Sequence, residues 1–496
     1  MKDYSFGNYI CALRTGLGLS QFQLGTLVGV SDKAVSKWEN GDSKPRLATC
    51  NRLAEVLGVS INELLSCKQY VTITARKEIN KLNRKLWKQA YEHLNIYGET
   101  PPVECWSRLA AEEAALQETD AIQGFALLGQ IAEKARMHNT MILAAGAINS
   151  SYAAWLFGGI LVNPLKAHYH CPACGKVEFV LGVDSGFDLS PKKCSCGANY
   201  SRDGHNIPYE GYAKTERNGT AVDIRVSKDF KPIAIKTIMD FYEGIAEVLP
   251  VKIVDDDPDW CFEKYVVLPP NKNKPQLSDD GYWHAGVEEY WNWHEDETSF
   301  SISYQEKLNE LHQVLTATNS PWSKLQDLTT PDMALELYQK RKENAAFITD
   351  AISEDERIDF DLLVRIDSLS HSTGAWCTNG ELLVKNGQAK FREIPASRED
   401  IWTAIVERLN KKGVHDYGLA LQVMDRGRKG LFSLRGMPEN IEKYLLTLGL
   451  PDWFLGYLKQ VKYLFPKGHC VAFLVIDLMH EWCTMNNRDK QTETKQ

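Results

Sequence analysis

The chain has 496 residues, of which 57 are basic and 65 acidic, for a net charge of −8. Hydrophobic residues make up 44% and charged residues 25%, enough apolar side chain for packed cores, so a wholly disordered chain is excluded. At roughly 100–200 residues per domain the length implies about three or four domains. The 34 glycines and 19 prolines follow no period, which excludes a collagen-like repeat. The acidic balance argues against a protein that is basic all over, but not against basic residues gathered on one face.

Met1 to Phe6 carry Lys2 and Asp3 and no apolar core, so no signal peptide is expected there. The 12 cysteines are mostly scattered singly, which fits a reducing cytoplasm better than a secreted disulfide framework. Thr140 to Val162 carries no charge and is long enough to span a bilayer. Its Asn149, Ser150, Ser151 and glycines, and its lack of aromatic-plus-basic flanks, predict a buried strand-turn-helix instead.

Residues 1–66 read as a domain of short helices. The first runs from about Phe6 to Thr15. Ser20 caps the second, with Gln23 at the capping-box position, and Ser31 caps a third from Asp32 to Glu39. Patterns at Leu47 to Leu57 and Ile61 to Leu65 follow. Leu24, Val28, Val35 and Trp38 fall on inward faces and hold two helices across a tight turn at Gly29.

This segment resembles the Cro/C1 family of helix-turn-helix regulators. The resemblance rests on Leu19-Ser20-Gln21, Leu27-Val28-Gly29-Val30-Ser31, Ala34-Val35-Ser36-Lys37-Trp38-Glu39-Asn40-Gly41 and Lys44-Pro45. It implies that the helix from Asp32 enters a DNA major groove, with Lys33, Ser36 and Lys37 outward. Gln21 at the start of the preceding helix would hold a phosphate, and Ser43 and Lys44 would contact the backbone. Charge tempers this. Met1 to Leu65 holds seven basic and six acidic residues, and Asp32 stands at the mouth of the recognition helix. Dimerisation, which doubles the contacts, would offset weak binding by one copy.

Residues 67–102 read as a basic helical linker, and 103–138 as strongly helical. Residues 165–235 are rich in strands and turns. Within them Cys171-Pro-Ala-Cys174 and Cys194-Ser-Cys196 are two cysteine pairs about 20 residues apart, the spacing of a tetrahedral structural zinc ribbon. One zinc per chain is expected, with His170 and His205 as reserve ligands. Asp255-Asp256-Asp257-Pro258-Asp259 reads as a solvated acidic turn.

Four stretches beyond about Val103 belong together: Arg108 to Glu113 leading to Phe125-Ala126-Leu127-Leu128; His168 to Cys174 with Ser185 to Leu189 and Asp203 to Pro208; Leu369 to Trp376; and Tyr463-Leu464-Phe465-Pro466-Lys467-Gly468-His469. On these stretches the chain resembles the polymerase core of the replicative DNA polymerase III alpha subunit of the PolC type. The resemblance implies an α+β multidomain fold. An all-α helix-turn-helix would precede a polymerase-like α/β palm at 103–310, with a zinc-binding insert at 168–208. A helical connector at 311–365 and mainly helical fingers at 366–485 would follow, then a disordered tail at 486–496.

Nucleotidyl transfer uses carboxylates that hold two Mg²⁺. The family's Pro-Asp-Ile-Asp strand reads Thr220-Ala221-Val222-Asp223-Ile224-Arg225 here, so Asp223 is a lone remnant beside Arg225. The strand that would supply the family's third carboxylate reads Phe300-Ser301-Ile302-Ser303 here, with Ser303 in its place. The family's phosphate loop reads Leu143 to Ser151, with Ala145 in place of its arginine. These departures lead to the expectation of a non-enzyme with no catalytic Mg²⁺. Arg426, Arg428, Lys429, Arg435, Lys467 and His469 form a candidate nucleic-acid or phosphate surface.

The function expected is a cytoplasmic DNA-binding transcriptional regulator with a catalytically inactive polymerase-like body as a binding or sensing module. Its expected partners are double-stranded DNA, a second copy of the chain and a replication protein, with no membrane. The alternatives are a minimal DNA polymerase with relocated metal ligands, or a decoy competing for a replisome partner.

Overall fold

The Ser20 hydroxyl accepts a hydrogen bond from the Gln23 backbone N–H at 3.1 Å, and Gln23 Oε1 accepts one from the Ser20 N–H at 2.7 Å. This capping box starts a helix as the sequence predicts. The structure is a computed structural model that describes residues 4–40, 42–59, 61, 64, 68–116, 119–213, 220–254, 261–268, 274–294, 297–318 and 331–493. The architecture is α+β: helices at the N-terminus, then mixed sheets, then a helical C-terminal region. The chain divides into two compact units, residues 1–85 with 243–249 and 267–283, and residues 86–242 with 250–266 and 284–496.

In the first unit α1 (Tyr4–Gly16), α2 (Gln21–Val28), α3 (Asp32–Glu39) and α4 (Leu47–Leu57) form the head. Gly29, at φ 80°, ends α2 in the left-handed region, where glycine carries no Cβ penalty. The Ser31 hydroxyl accepts from the Ala34 N–H and starts α3. Tyr9, Ile10, Leu24, Val28, Val35, Leu53 and Leu57 are buried together with Trp38. A Cβ on Gly7 would lie 2.3 Å from the Trp38 carbonyl oxygen, so α1 packs on the end of α3 with no room for a side chain. The expected helix from Ile61 to Leu65 lies mostly outside the described residues, as does Gly41. A long helix, α5 (Lys68–Glu92), runs through most of the segment expected to be a helical linker.

In chain order the strands are β1 (Leu143–Ala145), β2 (His168–His170), β3 (Val177–Phe179), β4 (Ser201–Asp203), β5 (Ala221–Val226), β6 (Glu247–Val254), β7 (Cys261–Leu268), β8 (Trp283–Gly286) and β9 (Ser299–Tyr304). Six make one sheet in the order β1-β5-β9-β7-β6-β8, and three make a second in the order β3-β2-β4. β5 runs parallel to β9 and antiparallel to β1. Val222, Ile224 and Val226 of β5 are buried, while Asp223 and Arg225 alternate onto the other face, the period of two expected of a strand with one packed side. The helix Ala121–Met137 lies on that packed side, with Gly124 admitting it close to Val222.

The uncharged segment 140–162 is a buried strand, a 3₁₀ turn and a short helix, Tyr152–Leu156, as its polar residues predict. Among the described residues no helix is long and apolar enough to cross a membrane. The C-terminal region builds its core around the helix Lys467–Glu493, whose Val471, Leu474, Val475 and Leu478 are buried with Leu363, Trp376, Ile401 and Leu458. That helix continues to Glu493, so the tail expected to be disordered from residue 486 is helical as far as Glu493. The acidic turn at 255–259 lies outside the described residues.

Candidate functional site

On the head, α3 presents Lys33 and Lys37 as exposed side chains, with Ser36 half-buried between them. Ser43 and Lys44 are exposed in the turn that follows. Asp32 accepts a hydrogen bond from the Lys33 N–H at 2.8 Å, so the acidic residue at the helix mouth caps its own turn. Gln21 is placed differently from the expectation. Its side-chain amide donates to Glu39 Oε2 at 2.7 Å. Arg14 donates to the same carboxylate from Nε at 2.7 Å and Nη2 at 3.1 Å, and from Nη1 to the Leu19 carbonyl at 2.6 Å. A buried Arg14–Glu39 pair therefore holds the end of α1 to the end of α3, and Gln21 ties the start of α2 to the same carboxylate. The sequence pattern marked Glu39 only as part of the motif.

The four cysteines converge in the second unit. Cys171 Sγ lies 3.5 Å from Cys196 Sγ, and Cys174 Sγ lies 3.6 Å from Cys194 Sγ. All four sulfurs fall within 4.8 Å of one another, close enough to hold one metal ion. Two turns make this cluster. Cys171 N–H donates to the Lys176 carbonyl and Cys194 N–H to the Ala198 carbonyl, with Gly175 at φ 72° and Gly197 at φ 95°. The Cys196 backbone N–H is the largest influence on the Cys194 thiol and helps bring it down to about 6. The reserve ligands are engaged elsewhere. His170 Nε2 pairs with the Ile96 carbonyl at 3.0 Å, and His205 Nδ1 with the Ser185 hydroxyl at 3.1 Å.

On β5 of the larger sheet, next to the edge strand β1, Asp223 lies beside Arg225, whose Nη2 donates to Asp223 Oδ2 at 2.9 Å. Arg225 Nη1 donates to Ser303 Oγ at 2.6 Å, and the register puts Arg225 opposite Ser303 and Asp223 opposite Ser301. Ala145 stands opposite Asp223 on the other flank. Burial raises the Asp223 carboxyl pKa against the opposing pull of Arg225 and Lys264. Burial also lowers the Lys264 ammonium pKa, with Asp223 pulling the other way. Positions 221–226 and 299–304 thus supply one carboxylate, one cation and serines, with Lys264 of β7 as a second cation opposite Ser301, a donor set that does not fit a pair of Mg²⁺ ions.

The segment in the phosphate-loop position is held by polar contacts of its own. Glu112, buried, accepts from the Ser151 hydroxyl and from the Tyr152 and Ala153 N–H groups, at 2.8–3.0 Å, and so occupies the N-terminus of the helix Tyr152–Leu156. Arg108 donates to Glu112 at 2.7 Å and to the Ser150 carbonyl at 2.7 Å. The Asn149 amide donates to the Ala144 carbonyl at 2.7 Å.

The expected cationic surface on the fingers is only partly assembled. Lys467 is buried: its Nζ lies 3.9 Å from Asp361, and its N–H donates to Glu399. His469 Nδ1 accepts the Gly146 N–H at 3.0 Å, its ring stacks on Phe473, and burial lowers its pKa to about 4, so it is neutral at pH 7. Neither can act as a surface cation, because long-range packing has taken both. Arg428 and Lys429 share the Asp425 carboxylate. Arg426 is half-buried and Arg435 exposed. The sequence reading missed a cleft of about 590 Å³ lined by Arg365, Arg392, Arg408 and Lys467 and also by Asp184, Glu393, Glu399, Asp400 and Glu407, a mixed rather than a cationic lining. Its basic residues are scattered from position 365 to position 467 and form no motif.

Residues 12–64 match the sequence model of the Helix-turn-helix family. The chain is also similar to proteins named DNA polymerase III PolC-type. That of Thermotoga petrophila is 25% identical over 454 residues, covering 78% of this chain and 32% of the relative. That of Bacillus cereus is 23% identical, covering 77% and 31%. That of Caldanaerobacter subterraneus is 24% identical, covering 80% and 32%. The chain spans about a third of the length of these relatives. A helix-turn-helix head joined to a PolC-like body is therefore what the sequence carries. The relatives are named as polymerases, which are enzymes, so the expectation of a non-enzyme, drawn from Ala221, Ala145 and Ser303, does not stand.

Proposed function

We propose that this chain is a DNA-binding regulator of transcription, with a head that reads double-stranded DNA and a PolC-like body that serves as a binding module. The single observation that carries the reading is the face of α3: Lys33, Ser36 and Lys37 project from a helix fixed by the Ser31 cap and the Trp38 core. On this reading Lys33, Lys37, Ser43 and Lys44 contact phosphates, Ser36 reads a base edge, and Gln21 acts through the bracket at Glu39. Two copies bound to a two-fold site would supply the affinity that a head of nearly balanced charge lacks. Cys171, Cys174, Cys194 and Cys196 hold one structural zinc. Arg426 and Arg435 remain as candidate phosphate contacts on the fingers. The setting is the cytoplasm. The test is genome-wide DNA occupancy of the intact chain against Lys33→Ala/Lys37→Ala. Discrete sites lost in the variant support the reading, and unchanged occupancy rejects it.

A second reading is favoured by the names of the relatives: templated nucleotidyl transfer by the body. Asp223 is then one metal ligand, and the others lie outside positions 221–226 and 299–304. Primer extension with Mg²⁺ or Mn²⁺ that disappears in Asp223→Ala would establish it.

A further inference from the structure

Helix α5 holds seven basic and two acidic residues over Lys68–Glu92, a local net charge of +5 in a chain whose net charge is −8. From position 80 onward its burial follows the helical period. Asn83, Leu86, Trp87 and Ala90 are buried, while Lys81, Arg84, Lys85 and Lys88 are exposed. Positions 81, 84, 85 and 88 are related by steps of three and four and so share one face. Among the described residues neither Arg84 nor Lys85 has a carboxylate partner. Lys88 lies 3.7 Å from Glu92, with both side chains largely exposed.

A packed helix needs only its apolar face, and the outer face could carry charges of both signs. Here Lys81 with Lys85, and Arg84 with Lys88, are like-charge pairs four residues apart, an arrangement that destabilises an isolated helix. A polyanion laid along the face turns that repulsion into attraction. At 1.5 Å per residue the four cations extend about 10 Å. One strand of B-DNA carries a phosphate per about 3.4 Å of axial rise but winds as it rises, so neighbouring phosphates stand farther apart than that, and the stripe reaches about three of them only with its long, flexible side-chain stems.

We propose that this face of α5 binds the phosphate backbone of double-stranded DNA without regard to sequence. DNA is favoured over other polyanions because only residues 58–67 separate α5 from a helix-turn-helix head that is itself short of positive charge. The proposal rests on the reading of that head as a DNA binder. It divides the work: α3 discriminates among sequences, and α5 adds affinity for any duplex.

The experiment titrates the full chain against a random-sequence DNA duplex over a series of KCl concentrations. The variant is Lys81→Gln/Arg84→Gln/Lys85→Gln/Lys88→Gln, since glutamine keeps the helix propensity. At about 0.9 counterions per neutralised phosphate, the slope of log Kd against log salt should shrink by about 3. A variant exchanging Lys and Arg at the same four positions should keep the slope. The charge-matched control, Lys228→Gln/Lys236→Gln/Lys411→Gln/Lys443→Gln, should keep it too. An unchanged slope in the first variant, or an equal loss in the control, overturns the proposal. So does tighter binding of an RNA duplex than of DNA, with the four side chains responsible. If Lys33→Ala/Lys37→Ala leaves operator discrimination intact, the reading of the head fails. If only the α5 variant is silent, this inference fails alone.

Discussion

Glu39 accepts the side-chain amide of Gln21 across 2.7 Å, and this contact ties the entry of α2 to the exit of α3. The same carboxylate is paired with Arg14, at side-chain exposures of 5% and 11%. Removing one partner of a buried pair leaves the other charge uncompensated, which costs about 3–5 kcal/mol. Glu39→Ala should therefore loosen the head by about 3 kcal/mol, read as faster hydrogen exchange of the α2 and α3 amides. Exchange at the wild-type rate would mean that the bracket does not hold the two helices.

Why some of this was legible and some not follows from sequence separation. Ser20 with Gln23, and Ser31 with Ala34, are three residues apart, so capping geometry could be read from the string. The inward faces of Leu24 and Trp38 follow from helical period alone. The cysteine cluster declared itself because ligand spacing is local. Lys467 and His469 were misjudged because their partners Asp361 and Gly146 lie 106 and 323 residues away, and a lysine followed by a histidine looks the same exposed or buried. Gln21 was placed on the correct helix, but its partner Glu39 is 18 residues on and reads as an ordinary surface acid.

For the metal centre, chain purified without added metal should contain about one zinc, as four thiolates in a tetrahedral site require. Cys171→Ser and Cys196→Ser should each lower that content sharply. His170→Ala and His205→Ala should leave it unchanged, because both rings are bonded elsewhere. Elemental analysis is the check, and loss of zinc from a histidine variant would redraw the ligand set.

Arg225 determines how Asp223 meets a cation. With the guanidinium 2.9 Å from Oδ2, a divalent ion must compete with a fixed positive charge. Arg225→Ala should tighten Mn²⁺ binding at Asp223 by about tenfold, the equivalent of one pKa unit. Electron paramagnetic resonance titration would show this, with Arg225→Ala/Asp223→Ala as the blank. Equal affinities in wild type and Arg225→Ala would show that the arginine does not control the site.

Asp188 should make the helix Phe360–His371 sensitive to pH. Its Oδ1 accepts the Phe360 N–H at 2.7 Å and its Oδ2 the Asp361 N–H at 3.2 Å. Burial is the main cause that raises its carboxyl pKa to about 6, helped by the charges of Asp359 and Asp361 and opposed by the two N–H groups. An aspartate in an unfolded chain titrates near 3.9. Between about pH 4 and pH 6 the folded chain thus binds more of this proton than the unfolded chain does. Stability contributed by Asp188 falls as pH rises through that window and is level above it. Asp188→Asn carries no titrating proton and keeps an acceptor for one of the two N–H groups. Hydrogen exchange of the Phe360–His371 amides should accelerate between pH 5 and pH 7, after correction for intrinsic rates, by an amount corresponding to about 1 kcal/mol in the wild type. In Asp188→Asn that step should vanish. A step of equal size in both would assign the pH dependence to another group.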